Sequence, residues 1–248
     1  MARSSYLLFG VTAYFVFFAT FLYLIGFIAD APGLPRTIDG PEPELHSLQG
    51  RFAIDAGLIL LFGLQHSVMA RRGFKAWWTR IVPEPIERSI YVLVSSIVLI
   101  VLMRFWQPLP HALWDLRGGV AAPLLWILFA LGWTIVLVST FLISHFELFG
   151  LKQVWANLRG AHGVAPTLRQ PLFYRFVRHP LYSGFLIAFW ATPHMTLGHL
   201  LLAAGLSLYI LVAIELEERD LLHMFGADYA RYRQRVGKLV PRLRRGGD

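Results

Sequence analysis

The stretch that decides the fold is residues 5–28, SYLLFGVTAYFVFFATFLYLIGFI, which contains no charged side chain. A run of this length is enough for one helix to cross the roughly 30 Å hydrocarbon core of a bilayer. It is too long for the apolar core of a signal peptide, and no small-residue cleavage site precedes Asp30. The sequence therefore predicts a retained membrane helix at its start.

Similar runs recur along the 248 residues, of which 56% are hydrophobic and 15% charged, with a mean hydropathy of +0.54. Soluble domains carry about a quarter charged residues, so this composition excludes a disordered chain, a coiled coil and an ordinary soluble enzyme. We predict an all-α fold, a polytopic integral membrane helical bundle with five or six transmembrane helices, forming one domain over 1–248. The first four spans are expected at 5–28, 52–70, 89–106 and 120–144.

A shorter apolar pair follows at 181–195 and 198–215, with Pro193 and Gly198 beside the turn between its arms. Each arm is barely long enough to cross a bilayer, so the hairpin 181–215 either spans fully or is partly embedded. The basic and aromatic stretch 228–236 then predicts a C-terminal cytosolic helical segment, either a lid on the membrane surface or an interfacial anchor.

Lysine and arginine concentrate in alternate loops. Segments 71–88 and 145–180 and the tail after Arg219 are basic, whereas segment 29–50 is mostly acidic. Because basic loops stay on the cytoplasmic side, we expect six crossings with both termini in the cytoplasm. The proline-rich loop 29–47 should cap the outer face. The net charge of +8 is explained by contact with anionic membrane lipids, without nucleic acid.

Several classes of chemistry find no support in the residues. The absence of cysteine excludes a disulfide, a thiolate nucleophile and a cysteine-based metal site. No two histidines are spaced to share a metal on one helical face, so no metal is expected. No G-x-G turn for a nucleotide fold and no G-x-S-x-G elbow for acyl transfer occurs, and the two halves of the chain show no transporter-like repeat.

The strongest signal lies in the C-terminal third, where residues 174–184 read YRFVRHPLYSG. Pro180 is preorganised for the first position of a helix and moves His179 out of helical geometry. The free N–H groups of that first turn, with Arg178 and His179 at their mouth, are typical of an anion site. Gly184 allows close approach of a neighbouring helix or a flat ligand. The alternative is a capped helix start whose arginines reach lipid headgroups.

Four acidic residues, Glu215, Glu217, Glu218 and Asp220, follow at what the apolar pattern predicts to be a helix C-terminus. Carboxylates are unfavourable at that end of a helix dipole, so the cluster should face a cation. The cation is either an internal arginine, with Arg178 and Arg219 as candidates, or the ammonium group of a ligand.

The pattern R-H-P-x-Y-x-G, an apolar hairpin and then E-E-x-x-L-x-x-x-F-G-x-x-Y-x-x-Y over residues 170–236 resembles the isoprenylcysteine carboxyl methyltransferase and phospholipid methyltransferase superfamily. Residues 62–71 and 77–91 resemble its NnrU-like branch, and residues 144–155 look most like the bacterial methanethiol S-methyltransferases. This resemblance implies a bacterial inner-membrane enzyme whose active site faces the cytoplasm and whose co-substrate is S-adenosyl-L-methionine, held in a core at 170–236.

The resemblance also implies the cofactor-binding residues. The helix start at Pro180, with Arg178, would receive the carboxylate of the cofactor, and Glu217 or Glu218 would receive its ammonium group. The remaining implied contacts are Tyr174, His179, Tyr182 and Gly184. Aromatic faces also suit the sulfonium. One departure is Pro171, where the family often has glycine.

The acceptor implied by the resemblance is the sulfur of methanethiol, giving dimethyl sulfide and S-adenosylhomocysteine. A thiol reacts as its thiolate, so a base is sought among polar residues near the membrane. The candidates are His145, with Glu147 holding its tautomer, and His66, flanked by the substrate-binding candidates Gln65 and Ser67. A positive pocket that lowers the pKa of the thiol would need no base.

Two other functions remain open at this point. The same chemistry would also serve a lipid amine or a prenyl-cysteine carboxylate, in which case a lateral opening between spans should admit the chain. A non-catalytic accessory protein of nitrogen-oxide respiration, as NnrU-like proteins are often described, would not bind the cofactor. The sequence leaves the oligomeric state undecided.

Overall fold

The computed structural model describes residues 2–42, 47–161 and 170–242 of the chain. It is almost entirely helical, which confirms the predicted fold class. The helices are α1 (Ala2–Ile28), α2 (Leu48–Ala70), α3 (Arg72–Trp78), α4 (Glu84–Phe105), α5 (Ala121–Ile143), α6 (His145–Leu148), α7 (Leu151–Arg159), α8 (Pro180–Trp190) and α9 (Leu197–Arg235). Two short strands, β1 (Ala112–Asp115) and β2 (His194–Thr196), form an antiparallel ribbon.

Within the described ranges, five helices are long and apolar enough to cross a membrane, namely α1, α2, α4, α5 and α9. The first four spans agree with their predicted ranges to within about five residues at each end. Their outer surfaces expose large apolar side chains such as Leu8, Leu60 and Ile127, each more than 60% exposed. Such surfaces are stable only against lipid, so the protein is a multi-pass integral membrane protein.

The predicted hairpin is asymmetric. Its first arm, α8, has 11 residues and is about 16 Å long, roughly half of the hydrocarbon thickness. After Trp190 the chain continues as an extended segment, and β2 pairs there with β1 from the α4–α5 connection. The expected helix over 181–195 is therefore wrong in its second part. Pro193 interrupts it because proline cannot donate the next helical hydrogen bond.

The second arm is much longer than predicted. Helix α9 continues past residue 215 through all four acidic residues and ends at Arg235, with a break at Gly226. Gly226 has φ 51° and ψ −125°, a conformation that favours glycine. The acidic cluster is therefore in the body of a helix, and the expectation that it lies at a helix C-terminus is wrong.

Helices α5 and α8 pack closely where Gly132 faces Gly184. A Cβ atom on either glycine would lie 2.7 Å from the backbone of the other helix. Gly184 therefore serves close helix packing, the first of its two predicted uses. Around this contact a continuous apolar core, including Phe27, Trp106 and Trp133, joins α1, α4 and α5.

Polar contacts gather at the two ends of the bundle. At one end, Arg71 after α2 pairs with Asp220 of α9 at 2.9 Å, and Arg88 Nε of α4 donates to Leu148 O of α6. At the other end, Thr196 donates to Asp39 at 2.6 Å. The loop 29–47 packs over this second end as far as it is described, since residues 43–46 lie outside the described ranges. The start of α8 and the acidic turn of α9 belong to the first end.

Candidate active site

The start of α8 has the geometry predicted from Pro180. Proline occupies the first helical position, and His179 before it has the non-helical angles φ −126° and ψ 61°. The chain after α9 returns to this point as a short segment, residues 236–239, which we call the strap. Arg178 N donates to Gly237 O at 2.8 Å and His179 N donates to Lys238 O at 3.1 Å. The strap thus fixes the approach of the chain into α8.

The acidic turn of α9 lies directly against this helix start. Arg178 Nε donates to Glu218 Oε1 at 2.8 Å, and His179 Nε2 lies 3.1 Å from the same oxygen. Arg178 also donates to the backbone carbonyls of Arg233 and Val236. Both Arg178 and Glu218 are buried, at 9% and 1% exposure. The internal pairing that the sequence left open is therefore realised between these two residues.

Glu217 has a different environment from its neighbour. Tyr182 donates to Glu217 Oε2 at 3.0 Å, and the Glu217 side chain is 43% exposed. His179 Nδ1 lies 4.0 Å from the same carboxylate oxygen. Glu217 is thus the carboxylate that an incoming cation can reach. We call the group His179, Tyr182, Glu217 and Glu218 the cradle.

Two tyrosines enclose the cradle beside the kinked end of α9. The Tyr232 hydroxyl donates to Tyr174 O at 2.6 Å, which joins the segment before α8 to the end of α9. Burial, with the nearby charge of Glu217 and the Tyr232 phenol, raises the pKa of Tyr174 far above its usual range. Tyr174 therefore stays a neutral phenol and offers an aromatic wall.

Two polar atoms beside the cradle are buried without a hydrogen-bond partner among the described residues, Glu218 Oε2 and the Tyr229 hydroxyl. Glu218 Oε2 has a charged neighbour, since Arg233 Nε lies 3.3 Å away. Buried polar atoms are normally satisfied, so unpaired ones often mark a place for an additional polar group. The cradle therefore suits a ligand that brings hydrogen-bond donors.

His66 lies on α2 in a second polar group inside the apolar helices. Its Nε2 lies 2.8 Å from the Tyr91 hydroxyl and its Nδ1 lies 3.1 Å from Ser95 Oγ, both on α4. Gln65 Nε2 donates to the same Ser95 oxygen at 3.3 Å. Gln65, a predicted substrate-binding neighbour, therefore shares the Ser95 hydroxyl with His66.

This second group adjoins the cradle through Tyr209 of α9. The rings of His66 and Tyr209 meet edge to face with centroids 6.1 Å apart. Tyr209 precedes Glu217, a member of the cradle, by about two helical turns along α9. The His66 group therefore contacts the helix that carries the cradle carboxylates.

The contacts of His145 lead in another direction. Its Nε2 lies 2.8 Å from the Tyr14 hydroxyl of α1 and its Nδ1 lies 2.8 Å from Thr140 Oγ1 of α5. Because the Thr140 hydroxyl donates to Leu137 O, it must accept from His145 Nδ1–H. The imidazole also stacks on Phe141 at 4.2 Å. Burial lowers the pKa of His145, so it is neutral near pH 7.

Glu147 is expected from the sequence to hold the tautomer of His145, and the structure shows a lysine partner for its carboxylate. Glu147 forms an ion pair with Lys152 at 2.6 Å, while Thr140 and Tyr14 together fix the tautomer of His145. The physical reason is position. Thr140 is one helical turn before the end of α5, where its hydroxyl reaches the imidazole, whereas Glu147 is half-exposed on α6.

Sequence reasoning missed Tyr91, Ser95 and Tyr209. A usable signal was present, because Tyr91 and Ser95 are four residues apart in an apolar span and thus share one helical face. Polar side chains on one face of a membrane helix usually meet a partner or a ligand. Tyr209 carries no such signal, since a lone tyrosine in an apolar helix is common.

The fold defines a polytopic membrane protein, and the cradle is a candidate ligand site at one end of its bundle. The sequence profile of the NnrU protein family matches residues 56–243, and the chain belongs to this family.

Curated relatives agree with this membership. The chain is 47% identical over 241 residues to the methanethiol S-methyltransferase of Crocosphaera subtropica, covering 97% of this chain and 93% of the relative. It is 48% identical over 245 residues to the methanethiol S-methyltransferase of Mycobacterium tuberculosis, covering 97% and 98%. A more distant relative is human nurim, 34% identical over 238 residues and covering 90% and 88%. No solved structure matches the chain.

Proposed function

We propose that this protein is an S-adenosylmethionine-dependent methyltransferase that methylates the sulfur of methanethiol and releases dimethyl sulfide and S-adenosylhomocysteine. Relatives that share about half of its residues over nearly its whole length are named methanethiol S-methyltransferases. The observation that carries the proposal is the meeting of two distant segments in one place, since His179 and Tyr182 of the α8 start bind Glu218 and Glu217 of α9.

The cradle supplies a suitable partner for each charged part of S-adenosylmethionine. Glu217 is accessible and would receive the ammonium group of the cofactor through a charge-assisted hydrogen bond. The N–H groups at the start of α8, where the helix dipole favours an anion, would hold the carboxylate of the cofactor. Arg178 stabilises this helix start, because its guanidinium is bound to Glu218 and to backbone carbonyls. The rings of Tyr174 and Tyr182 would suit the sulfonium.

Methyl transfer from a sulfonium requires little covalent help from the protein. The thiol loses its proton, the sulfur lone pair forms a bond to the methyl carbon, and the carbon–sulfonium bond breaks with its electron pair remaining on the former sulfonium sulfur. The protein must hold the two sulfur atoms in line, exclude water and stabilise the thiolate. An apolar surrounding of α2, α4 and α9 beside His66 suits a small thiol with few polar handles.

The location of the cradle supports a cytoplasmic active site. It belongs to the same end of the bundle as Arg71, Arg72 and Arg88, and basic side chains favour the cytoplasmic side. With this orientation both chain termini face the cytoplasm. A membrane-impermeant lysine reagent added to intact cells should then leave Lys75 and Lys152 unlabelled. Labelling of either lysine would indicate the opposite orientation.

The central experiment uses the purified full-length protein in detergent with S-adenosylmethionine and methanethiol, and measures dimethyl sulfide in the headspace. We expect turnover that depends on both substrates. Glu217→Gln should reduce it through weaker cofactor binding, whereas Asp115→Asn, which removes an exposed partner of Arg117 at the opposite end of the bundle, should not. Transfer to a phospholipid amine or a prenyl-cysteine carboxylate in place of the thiol would reassign the acceptor. Absence of cofactor binding by calorimetry would refute the proposed methyltransferase function.

A further inference from the structure

Three polar side chains interact inside the apolar helices beside the cradle. They are Tyr91 and Ser95 of α4, which are 6% and 7% exposed, and His66 of α2. Burying such groups at membrane depth is costly and usually reflects a functional role or a structural hydrogen bond between helices. The question is which of the two applies to this group.

The hydrogen bonds arrange the three groups as a relay. The contact of the Tyr91 hydroxyl with His66 Nε2, at 2.8 Å, is shorter than its 3.4 Å contact with His66 O. When the hydroxyl donates to Nε2, the imidazole proton is on Nδ1 and donates to Ser95 Oγ. After His66 gains a second proton, each ring N–H has a partner, because Nε2–H donates to the Tyr91 oxygen and Nδ1–H donates to Ser95 Oγ. The group can therefore accept a proton without leaving a donor unpaired.

The charges around Tyr91 favour a developing anion. The Arg88 guanidinium lies over the Tyr91 ring, 4.9 Å from its centroid. Arg88 Nε is held at 2.7 Å by Leu148 O, so its charge is fixed in place. A cation fixed beside the ring stabilises both a phenolate and a thiolate.

A matched arrangement elsewhere shows what is special here. Tyr14, His145 and Thr140 form the same sequence of contacts, but their imidazole is packed against the rings of Phe141 and Phe149 and connects α5 to α1. The imidazole of His66 also stacks on a phenylalanine, Phe62, but it meets Tyr209 of α9 as well, about two helical turns before Glu217. The first arrangement connects helices away from α9, and the second contacts the helix that carries the cradle carboxylates.

We propose that Tyr91 is a catalytic residue that takes the proton of the acceptor thiol and passes its own hydroxyl proton to His66, beneath the fixed charge of Arg88. This inference rests on the proposed function and adds the base that it requires. In the step, the S–H bond breaks as an O–H bond forms at Tyr91, and the tyrosine O–H bond breaks as an N–H bond forms at His66 Nε2. The thiolate attacks the methyl carbon, and His66 later returns the proton to solvent.

The test is Tyr91→Phe in the full-length protein, assayed with two small thiols of different acidity, ethanethiol and trifluoroethanethiol. Removing a general base typically costs about 10²- to 10⁴-fold in turnover. We expect a loss of this size with ethanethiol and a loss at least tenfold smaller with trifluoroethanethiol, because the more acidic thiol is ionised without help. The matched control is Tyr23→Phe, which removes a phenol that donates to Arg36 O at the opposite end of the bundle and should change neither rate.

Each result decides the proposal. Equal losses with both thiols, at unchanged cofactor affinity, would show a structural role for Tyr91 and overturn it, as would full activity of Tyr91→Phe. If Tyr91→Phe does not bind cofactor, Arg88→Gln replaces it, and the same dependence on thiol acidity is required. Wild-type protein that binds cofactor but methylates neither these thiols nor methanethiol would refute the proposed acceptor, a failure distinguishable from that of Tyr91 alone.

Discussion

The two adjacent glutamates of α9 should respond differently to the same substitution. Glu218 is 1% exposed and forms the buried ion pair with Arg178, whereas the Glu217 side chain is 43% exposed and bonded to Tyr182. Replacing Glu218 by glutamine leaves the buried guanidinium of Arg178 without its counter-charge. Breaking such a pair typically costs about 3–5 kcal/mol. The two backbone carbonyls that Arg178 also reaches place the expected loss at the lower end, about 3 kcal/mol.

Glu217→Gln should instead affect the ligand. The Glu217 carboxylate is half-exposed, so replacing it should change the stability of the fold by no more than about 1 kcal/mol. If Glu217 binds the ammonium group, a charge-assisted bond worth roughly 1.5–3 kcal/mol is lost, which corresponds to about a 10- to 150-fold weaker cofactor affinity. Thermal unfolding followed by tryptophan fluorescence gives the first quantity, and calorimetry with S-adenosylhomocysteine gives the second.

The two variants together test which carboxylate binds the ligand and which stabilises the fold. We expect Glu218→Gln to lower the unfolding midpoint clearly and Glu217→Gln to lower affinity with little change in the midpoint. The reasoning would be refuted if Glu217→Gln bound the nucleoside like the wild type, or if Glu218→Gln were as stable as the wild type but had lost binding. In the latter case Glu218 would be the ligand carboxylate, through the Oε2 atom that lies beside Arg233.

Three further predictions concern stability, each measured as the midpoint of thermal unfolding in detergent. Gly184→Ala should cost about 1–3 kcal/mol, because its Cβ would lie 2.7 Å from Gly132 O on α5. As a control, Gly57→Ala faces open space and should stabilise α2 by up to about 1 kcal/mol. A neutral Gly184→Ala would contradict the close packing. Gly226→Ala should cost about 1 kcal/mol from backbone strain alone, because its φ is +51° and an added Cβ would meet no atom within 4 Å. An unchanged midpoint would show that the break in α9 straightens. Burial lowers the pKa of His145, so the unfolded chain binds its proton more readily; the wild type should lose stability relative to His145→Gln as the pH falls below about 6.5, and parallel curves would refute the burial effect.

The spans were predictable because apolar length is a property that the sequence carries directly. Residues 5–28 and 120–144 are uninterrupted apolar runs, and α1 and α5 begin and end within three residues of them. The pairing of the α8 start with the acidic residues also has a local signal, because Pro180 fixes a helix start and adjacent carboxylates require a cation.

What the sequence could not provide depends on contacts between distant segments. The apolar pattern ends near residue 215, yet α9 continues because Glu218 pairs with Arg178 and Asp220 pairs with Arg71. Tertiary partners thus supply what the local pattern lacks. The choice between His145 and His66 as the base could not be made from spacing either, because the two imidazoles differ in the helix they contact, α1 for His145 and α9 for His66.

The strap has a consequence for how the protein is made. Residues 237 and 238 hold the backbone of Arg178 and His179, so the cradle depends on residues that leave the ribosome after all nine helices of the described ranges. Until they emerge, the α8 start lacks the contacts that the strap supplies, and the helices insert into the membrane before the cradle is complete. A fusion partner placed directly after residue 239 would therefore interfere with activity more than one placed before α1.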